Sequence, residues 1–107
     1  MKTIHNKLVR DRIPEIIQNS GKSCVCQTLD DQAYLDALDQ KLCEELNEYQ
    51  QDHSLEELAD LLEVIRAVIT ARGSTWEEVE AILKAKAEKR GCFAKQIWLV
   101  ETEDFEK

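Results

Sequence analysis

Several features are scarce or missing in this chain of 107 residues, and each narrows the possible folds and chemistries. The sequence has one proline, Pro14, and three glycines, Gly21, Gly73 and Gly91, which punctuate the chain without forming a linker. It contains no Gly-rich phosphate loop and no nucleophile elbow. No apolar run approaches the length of a membrane span. We therefore expect one small domain over 1–107 that has no membrane partner.

The sequence also lacks an excess of positive charge and an N-terminal export signal. Its net charge is -8, which argues against a nucleic-acid polymer as a partner. Residues 1–12 lack the apolar stretch of a secretory signal, so we expect a cytoplasmic protein with reduced thiols. Cys24 and Cys26 share the alternation of a strand, but both histidines lie far from them, so a zinc site is not favoured.

Periodicity and capping signals predict a mainly α-helical bundle with a small sheet. Ser54-x-x-Glu57 and Thr75-x-x-Glu78 both match the capping box, and Asp11 is a plausible first cap. The segments KSCVCQT (22–28) and QIWLV (96–100) are typical of short strands, and we expect them to pair. The predicted helices cover 11–20, 30–50, 54–73 and 75–90, and residues 101–107 form an acidic, frayed tail.

Two pairs of acidic residues have helical spacing on consecutive predicted helices. Glu45 and Glu48 lie on the first long helix, and Glu57 and Asp60 lie on the next. Residues three apart share a face of a helix, and a tight turn between antiparallel helices points all four carboxylates at one spot. Clustered anions repel unless protons or cations compensate them, and Mg²⁺ prefers oxygen ligands. The spacing thus makes these residues a candidate metal site.

Helical wheels separate these acids from ordinary surface charges. Glu45 falls inside the apolar arc of its helix, next to Leu38. Asp60 lies in the middle of a helix although Asp is a poor helix former. Glu57 has a competing explanation, since a capping box with Ser54 accounts for it. From the residues alone, a metal site and solvated acids at the edge of a bundle remain equally open.

The second long helix is apolar over a wide arc of its circumference. A helix of this kind must be covered on more than one side, and this short chain has few elements to cover it. We therefore expect helices to form a dimer interface. The apolar residues of the arc are Leu58, Leu61, Leu62, Val64, Ile65, Val68 and Ile69.

The acidic motif resembles the signature of the all-α nucleoside triphosphate pyrophosphatases, a superfamily that includes MazG, the dimeric dUTPases and phosphoribosyl-ATP pyrophosphohydrolase. The matching residues are Glu44-Glu45-x-x-Glu48 and Glu57-x-x-Asp60. The resemblance implies a MazG-like helical bundle that forms a homodimer or homotetramer. It also implies Mg²⁺, with Mn²⁺ as a substitute, held by Glu45, Glu48, Glu57 and Asp60.

Flanking segments extend this resemblance over nearly the whole chain. NKLVRDRIPEII (6–17) and KRGCFAKQIWLV (89–100) look like the flanks of a small subgroup of predicted house-cleaning NTP pyrophosphatases, and SLEELADLLEVI (54–65) adds to the match. Only eight residues separate Glu48 from Glu57, fewer than in most MazG-type signatures. A shorter hairpin removes part of the base pocket, so the nucleotide preference does not carry over.

The resemblance implies hydrolysis of the α–β phosphoanhydride of an ordinary or modified nucleoside triphosphate, which yields a monophosphate and pyrophosphate. Glu45 and Glu44 would serve catalysis, with Glu44 as an outer acid or the group that orients the attacking water. Location and charge assign four bases to the phosphates: Lys7, Arg10, Lys86 and Arg90. Two alternatives are a catalytically weak MazG-like module that binds a nucleotide or protein partner, and a structural helical dimer whose acids are merely solvated.

Overall fold

The computed structural model describes residues 1–105 as a mainly α-helical chain, as the sequence predicts. Among these residues, no helix is long and apolar enough to cross a membrane. Glu106 and Lys107, the end of the predicted acidic tail, lie outside the described residues. The helices are α1 (Ile13–Asn19), α2 (Asp31–Asp52), α3 (Leu55–Ala71) and α4 (Trp76–Arg90).

Short polar side chains define where the helices begin. Asp30 caps α2 by accepting a hydrogen bond from the Ala33 N–H at 2.8 Å. Helix α1 departs from the prediction, because Arg12 rather than Asp11 occupies the cap position and makes no side-chain cap. Pro14 falls within the first turn, where its missing N–H costs nothing.

Helices α2 and α3 form a hairpin joined by only two residues, His53 and Ser54. His53 adopts the left-handed conformation (φ 54°), which stops α2 and turns the chain. Its N–H donates to the Tyr49 carbonyl at 2.7 Å, and its ring meets the Tyr49 ring edge-on at 5.2 Å. The Ser54 hydroxyl then accepts from the Glu57 N–H at 3.2 Å and starts α3. The two helices are therefore held close from the turn onward.

The buried core of the described residues is small. Leu38 of α2 and Val64 and Ile69 of α3 are the buried apolar side chains, and Leu38 is only 2% exposed. Leu46 and Leu62, on the same two helices, are 44% and 51% exposed. The hairpin thus buries one apolar stripe and leaves other leucines uncovered.

The chain divides into two compact units, residues 1–76 and residues 77–107. The first contains α1 to α3, and the second contains most of α4 and the segment that follows it. The prediction of a single domain over 1–107 stays a prediction.

The predicted two-stranded sheet is not found among residues 1–105, which contain no strand. Residues 22–28 and 96–100 are irregular, and an extended segment without a hydrogen-bonded neighbour gains nothing from strand geometry. Gln96 has a left-handed φ of 58° and donates its N–H to the Phe93 carbonyl, so a turn interrupts the second segment at its start. Trp98 in that segment is 88% exposed.

Candidate metal centre

The hairpin places one of the two predicted acid pairs on α2 and the other on α3, both near the turn. Glu45 and Asp60 each lie three residues further from the turn than Glu48 and Glu57 do. Three residues correspond to about 4.5 Å of helix rise. The spacing within each pair is therefore the same, but Glu48 lies four residues from the end of α2 whereas Glu57 lies two residues from the start of α3, so the pairs are offset along the hairpin.

Three of the four acids form a cluster that suits a hard cation. Glu45, Glu57 and Asp60 each offer a carboxylate oxygen, and these oxygens all lie within 4.8 Å of one another. Around a bound Mg²⁺, adjacent ligand oxygens lie about 3 Å apart and opposite ones about 4.2 Å apart. The 4.8 Å limit is wider than both separations, so the three carboxylates would draw together on binding one ion. The donor set is all oxygen and anionic, so these residues fit Mg²⁺ or Mn²⁺.

Glu48 lines the same cleft without joining that group of three within the described chain. The cleft is open and has a volume of about 510 Å³. Its wall is mostly acidic, with Lys7 and Lys41 as the basic members and Asn47 as an amide. Glu44 also lines it, one residue before Glu45. A small anionic ligand would meet both acids and bases there.

Glu45 lies inward on α2, as its wheel position predicts. Its side chain is only 14% exposed, and Lys41, one turn earlier on the helix, is 19% exposed. The Lys41 Nζ lies 3.5 Å from Glu45 Oε1 and 3.1 Å from Glu44 Oε2. An exposed ion pair contributes little, but a half-buried carboxylate needs a partner. Lys41 therefore compensates a largely enclosed acid of the cluster.

The surroundings of the Glu57 carboxyl group raise its pKa. Desolvation between the helices raises its pKa above the ordinary value, and the carboxylates of Glu48, Asp60, Asp52 and Glu45 raise it further. The capping box is only half formed: the Glu57 N–H donates to Ser54 Oγ, but no returning bond from the Ser54 N–H to the Glu57 carboxylate is described in residues 1–105. The Glu57 carboxylate is thus available to the cleft.

Asp60 has a cation from outside the hairpin. Arg10, in the segment that precedes α1, places its Nη2 2.7 Å from Asp60 Oδ1. The two side chains are 59% and 44% exposed, so the pair lies at the surface of the cluster. Arg10, a cation of the protein itself, is therefore already paired with Asp60, one of the three candidate metal ligands.

The structure brings part of the predicted site together. Lys7 and Arg10 lie beside the acids, whereas Lys86 and Arg90 belong to the second unit, where both are exposed, and their role stays a prediction. Sequence reasoning missed Lys41, although its spacing of three and four residues from Glu44 and Glu45 is the ordinary signal for a helical ion pair.

Comparisons with known proteins add little to this geometry. No family model and no solved structure matches the chain. A protein of Mycolicibacterium smegmatis, described as uncharacterized, is 57% identical over 42 residues. The match covers 39% of this chain and 43% of that relative, so the chain spans less than half of the relative's length. A short similarity to such a protein assigns neither a family nor an activity.

Proposed function

We propose that the protein is a Mg²⁺-dependent nucleoside triphosphate pyrophosphohydrolase. It would cleave the α–β phosphoanhydride of an ordinary or modified nucleoside triphosphate and release a monophosphate and pyrophosphate. The observation that carries the proposal is the convergence of Glu45, Glu57 and Asp60 oxygens within 4.8 Å, at the wall of an open cleft. The resemblance of the acidic motif to the all-α pyrophosphatases supplies the reaction type.

The acids of the hairpin would hold the cation, and Glu48, which lines the same cleft, is proposed as the fourth ligand. When bound, Mg²⁺ neutralises the triphosphate oxygens and stabilises the charge that develops during the reaction. Desolvation and, after it, the neighbouring carboxylates raise the pKa of Glu57, and a bound divalent cation would relieve the repulsion from those carboxylates. Glu45 is set at the inner end of the cluster by α2 and would fix the position of the cation.

Glu44 and Glu45 would share the handling of the attacking water. The water oxygen forms a bond to the α-phosphorus, the bond from that phosphorus to the bridging oxygen breaks, and a water proton passes to a carboxylate. Glu44 lines the cleft next to Glu45, and Lys41 bridges the two. Lys41 thereby restrains both carboxylates, which favours a fixed water position.

The bases at the mouth of the cleft would bind the leaving pyrophosphate. Lys7 lines the cleft and is exposed, and Arg10 lies at Asp60. Lys86 and Arg90 belong to the second unit, and their assignment to the phosphates rests on their charge and place in the sequence alone. An anionic substrate approaching a chain of net charge -8 needs such local bases together with the cation.

The oligomer is part of the same proposal. Leu46 and Leu62 on the hairpin are 44% and 51% exposed, and Leu55 is 80% exposed. Side chains of this size on adjacent helices favour burial against a second copy. We propose a homodimer or homotetramer formed through helices. A nucleotide substrate also fits the cytoplasmic location expected from the sequence.

A second candidate function is a MazG-like helical module that binds a nucleotide or a protein partner with little catalysis. Its support is the pairing of Asp60 with Arg10 and of Glu45 with Lys41. Acids already paired within the chain need no metal to be stable, so the same contacts suit a passive module.

Product analysis tests the proposal against this alternative. The purified protein is incubated with Mg²⁺ and a panel of ordinary and modified nucleoside triphosphates, and the phosphorus products are identified by ³¹P NMR. We expect pyrophosphate and a monophosphate from at least one substrate, and their loss in Asp60→Asn. Glu56→Gln, an exposed acid one turn earlier on α3, is the matched control and keeps activity. Release of orthophosphate, or equal activity in Asp60→Asn, contradicts the proposal.

A further inference from the structure

Arg10 pairs with a carboxylate, that of Asp60, to which a divalent cation at the acid cluster would also bind. Its Nη2 lies 2.7 Å from Asp60 Oδ1, and Asp60 belongs to the group of three acids with converging oxygens. If a guanidinium and a divalent cation both bound this carboxylate, they would repel each other strongly. The two cations therefore compete for Asp60.

The two chain cations at the cluster differ in their freedom to move. Lys41 lies on α2, is 19% exposed and is paired within its own helix. Arg10 lies in the irregular segment before α1, and its side chain is 59% exposed. An exposed side chain changes rotamer on the picosecond to nanosecond scale. Arg10 can leave its carboxylate without any rearrangement of the hairpin, whereas Lys41 remains beside Glu45.

The backbone near Arg10 is better anchored than its side chain. Leu8 is half-buried, and with Leu38 and Val64 it lines a cavity of about 80 Å³ between the segment and the hairpin. Val9 lines the same cavity. An Arg10 side chain released from Asp60 therefore stays within reach of the cleft mouth.

We propose that Arg10 exchanges partners: it neutralises Asp60 in the metal-free protein and moves to the phosphates of the substrate when a divalent cation occupies the acids. This inference rests on the proposed function. The guanidinium forms a fork of donors that matches phosphate oxygens as well as it matches a carboxylate. Phosphate then binds tightly only after a metal ion has bound, because in the metal-free protein Arg10 is paired with Asp60.

Two binding measurements on one variant test the exchange. Arg10→Gln removes the charge, and Arg12→Gln is the matched control, since Arg12 is exposed and pairs with Glu15 at 3.4 Å. Mn²⁺ binding is followed by the electron paramagnetic resonance of the free ion. Binding of magnesium pyrophosphate to the Mg²⁺-saturated protein is measured by calorimetry. Circular dichroism confirms that each variant keeps its helices.

Opposite effects in Arg10→Gln are the expected signature. Its affinity for Mn²⁺ rises about two- to fivefold, the effect of removing one exposed ion pair. Its affinity for magnesium pyrophosphate falls about tenfold, the loss of one charge-assisted contact. Arg12→Gln matches the wild type in both measurements. Arg10→Lys lies between, because it keeps a charge without the fork.

Three results separate the failure of this inference from the failure of the proposed function. If the wild type binds Mn²⁺ and Asp60→Asn does not, but Arg10→Gln binds it no more tightly than wild type, the exchange is wrong and the metal site stands. Weaker binding of both probes by Arg10→Gln also overturns the exchange, since it indicates a purely structural contact. If the wild type binds no Mn²⁺, the proposed function fails and the exchange fails with it.

Discussion

The Nζ atom of Lys41 lies 3.5 Å from Oε1 of Glu45, one turn further along α2. With side chains 19% and 14% exposed, this is the least exposed ion pair among the described residues. It joins a largely enclosed acid of the cleft to a cation on the same helix. The Lys41–Glu45 contact therefore bears on both the stability of the hairpin and the proposed chemistry.

Lys41→Gln tests this contact. Because the Glu45 carboxylate then lies half-buried without its cation, we expect the metal-free protein to lose about 1 to 2 kcal/mol of unfolding free energy. Urea denaturation with and without millimolar Mg²⁺ measures the change. Mg²⁺ is expected to restore most of the loss, since it takes over compensation of the acids.

Lys84→Gln is the control for that experiment. Lys84 pairs with Glu80 at 3.0 Å on α4, with side chains 73% and 46% exposed, so its loss should cost less than about 0.5 kcal/mol. Equal losses in the two variants, or a loss in Lys41→Gln that Mg²⁺ leaves unchanged, would show that Lys41 does not compensate the acid cluster.

The raised pKa of Glu57 predicts the pH dependence of stability. In the metal-free protein, the folded state keeps this carboxyl protonated above its ordinary pKa near 4.5. The folded state then binds more protons than the unfolded state, so the Glu57 contribution lowers stability as pH rises from 4.5 through the folded pKa. Glu57→Gln removes this contribution and should be more stable than wild type at neutral pH.

Urea denaturation of wild type and Glu57→Gln gives the difference in their unfolding free energies. The measurements run from about pH 4, near the ordinary pKa of a carboxyl group, to about pH 8. The advantage of Glu57→Gln should grow through the window and then level off. Glu56→Gln, on the same helical turn and exposed, is the control for net charge. A parallel rise in both variants would assign the effect to net charge and not to the acid cluster.

The Ser54 cap predicts a link between the hairpin turn and metal binding. Ser54→Ala removes the bond from the Glu57 N–H to Ser54 Oγ, and Asp30→Ala removes the equivalent cap of α2. Each should cost about 1 kcal/mol in thermal or urea unfolding. Only Ser54→Ala should weaken Mn²⁺ binding, because only that cap sets the position of Glu57. Equal weakening in both variants would show that general stability controls binding.

The exposed leucines of the hairpin predict an oligomer interface. Leu62 is 51% exposed on α3, and a lysine there would place a charge in a buried apolar contact. Leu62→Lys should therefore sediment as a smaller species than wild type with an unchanged helical spectrum. Glu56→Lys, on the same helix, should sediment as wild type. A wild type that is monomeric at all concentrations would contradict the predicted oligomer.

Local signals in the sequence sufficed for the helices and for the inward position of Glu45. Capping residues and the tight turn at His53 specify where α2 ends and α3 begins, because these depend on neighbouring residues only. The spacing within each acid pair follows in the same way from the helical period.

Other parts of the site depend on contacts distant in sequence. The pairing of Arg10 with Asp60 spans fifty positions and follows from how the first segment lies on the hairpin, which periodicity does not encode. The predicted strands at 22–28 and 96–100 rested on alternation and apolar composition alone. Strand formation needs a hydrogen-bonded partner, and none is described within residues 1–105.

Anomalous diffraction from crystals grown with Mn²⁺ would locate a metal ion bound to the acid cluster. We predict a Mn²⁺ peak at about 2.1 Å from carboxylate oxygens of Glu45, Glu57 and Asp60, with the Arg10 guanidinium no longer on Asp60. An absence of any peak at these acids at saturating Mn²⁺, with Arg10 still paired to Asp60, would contradict this prediction.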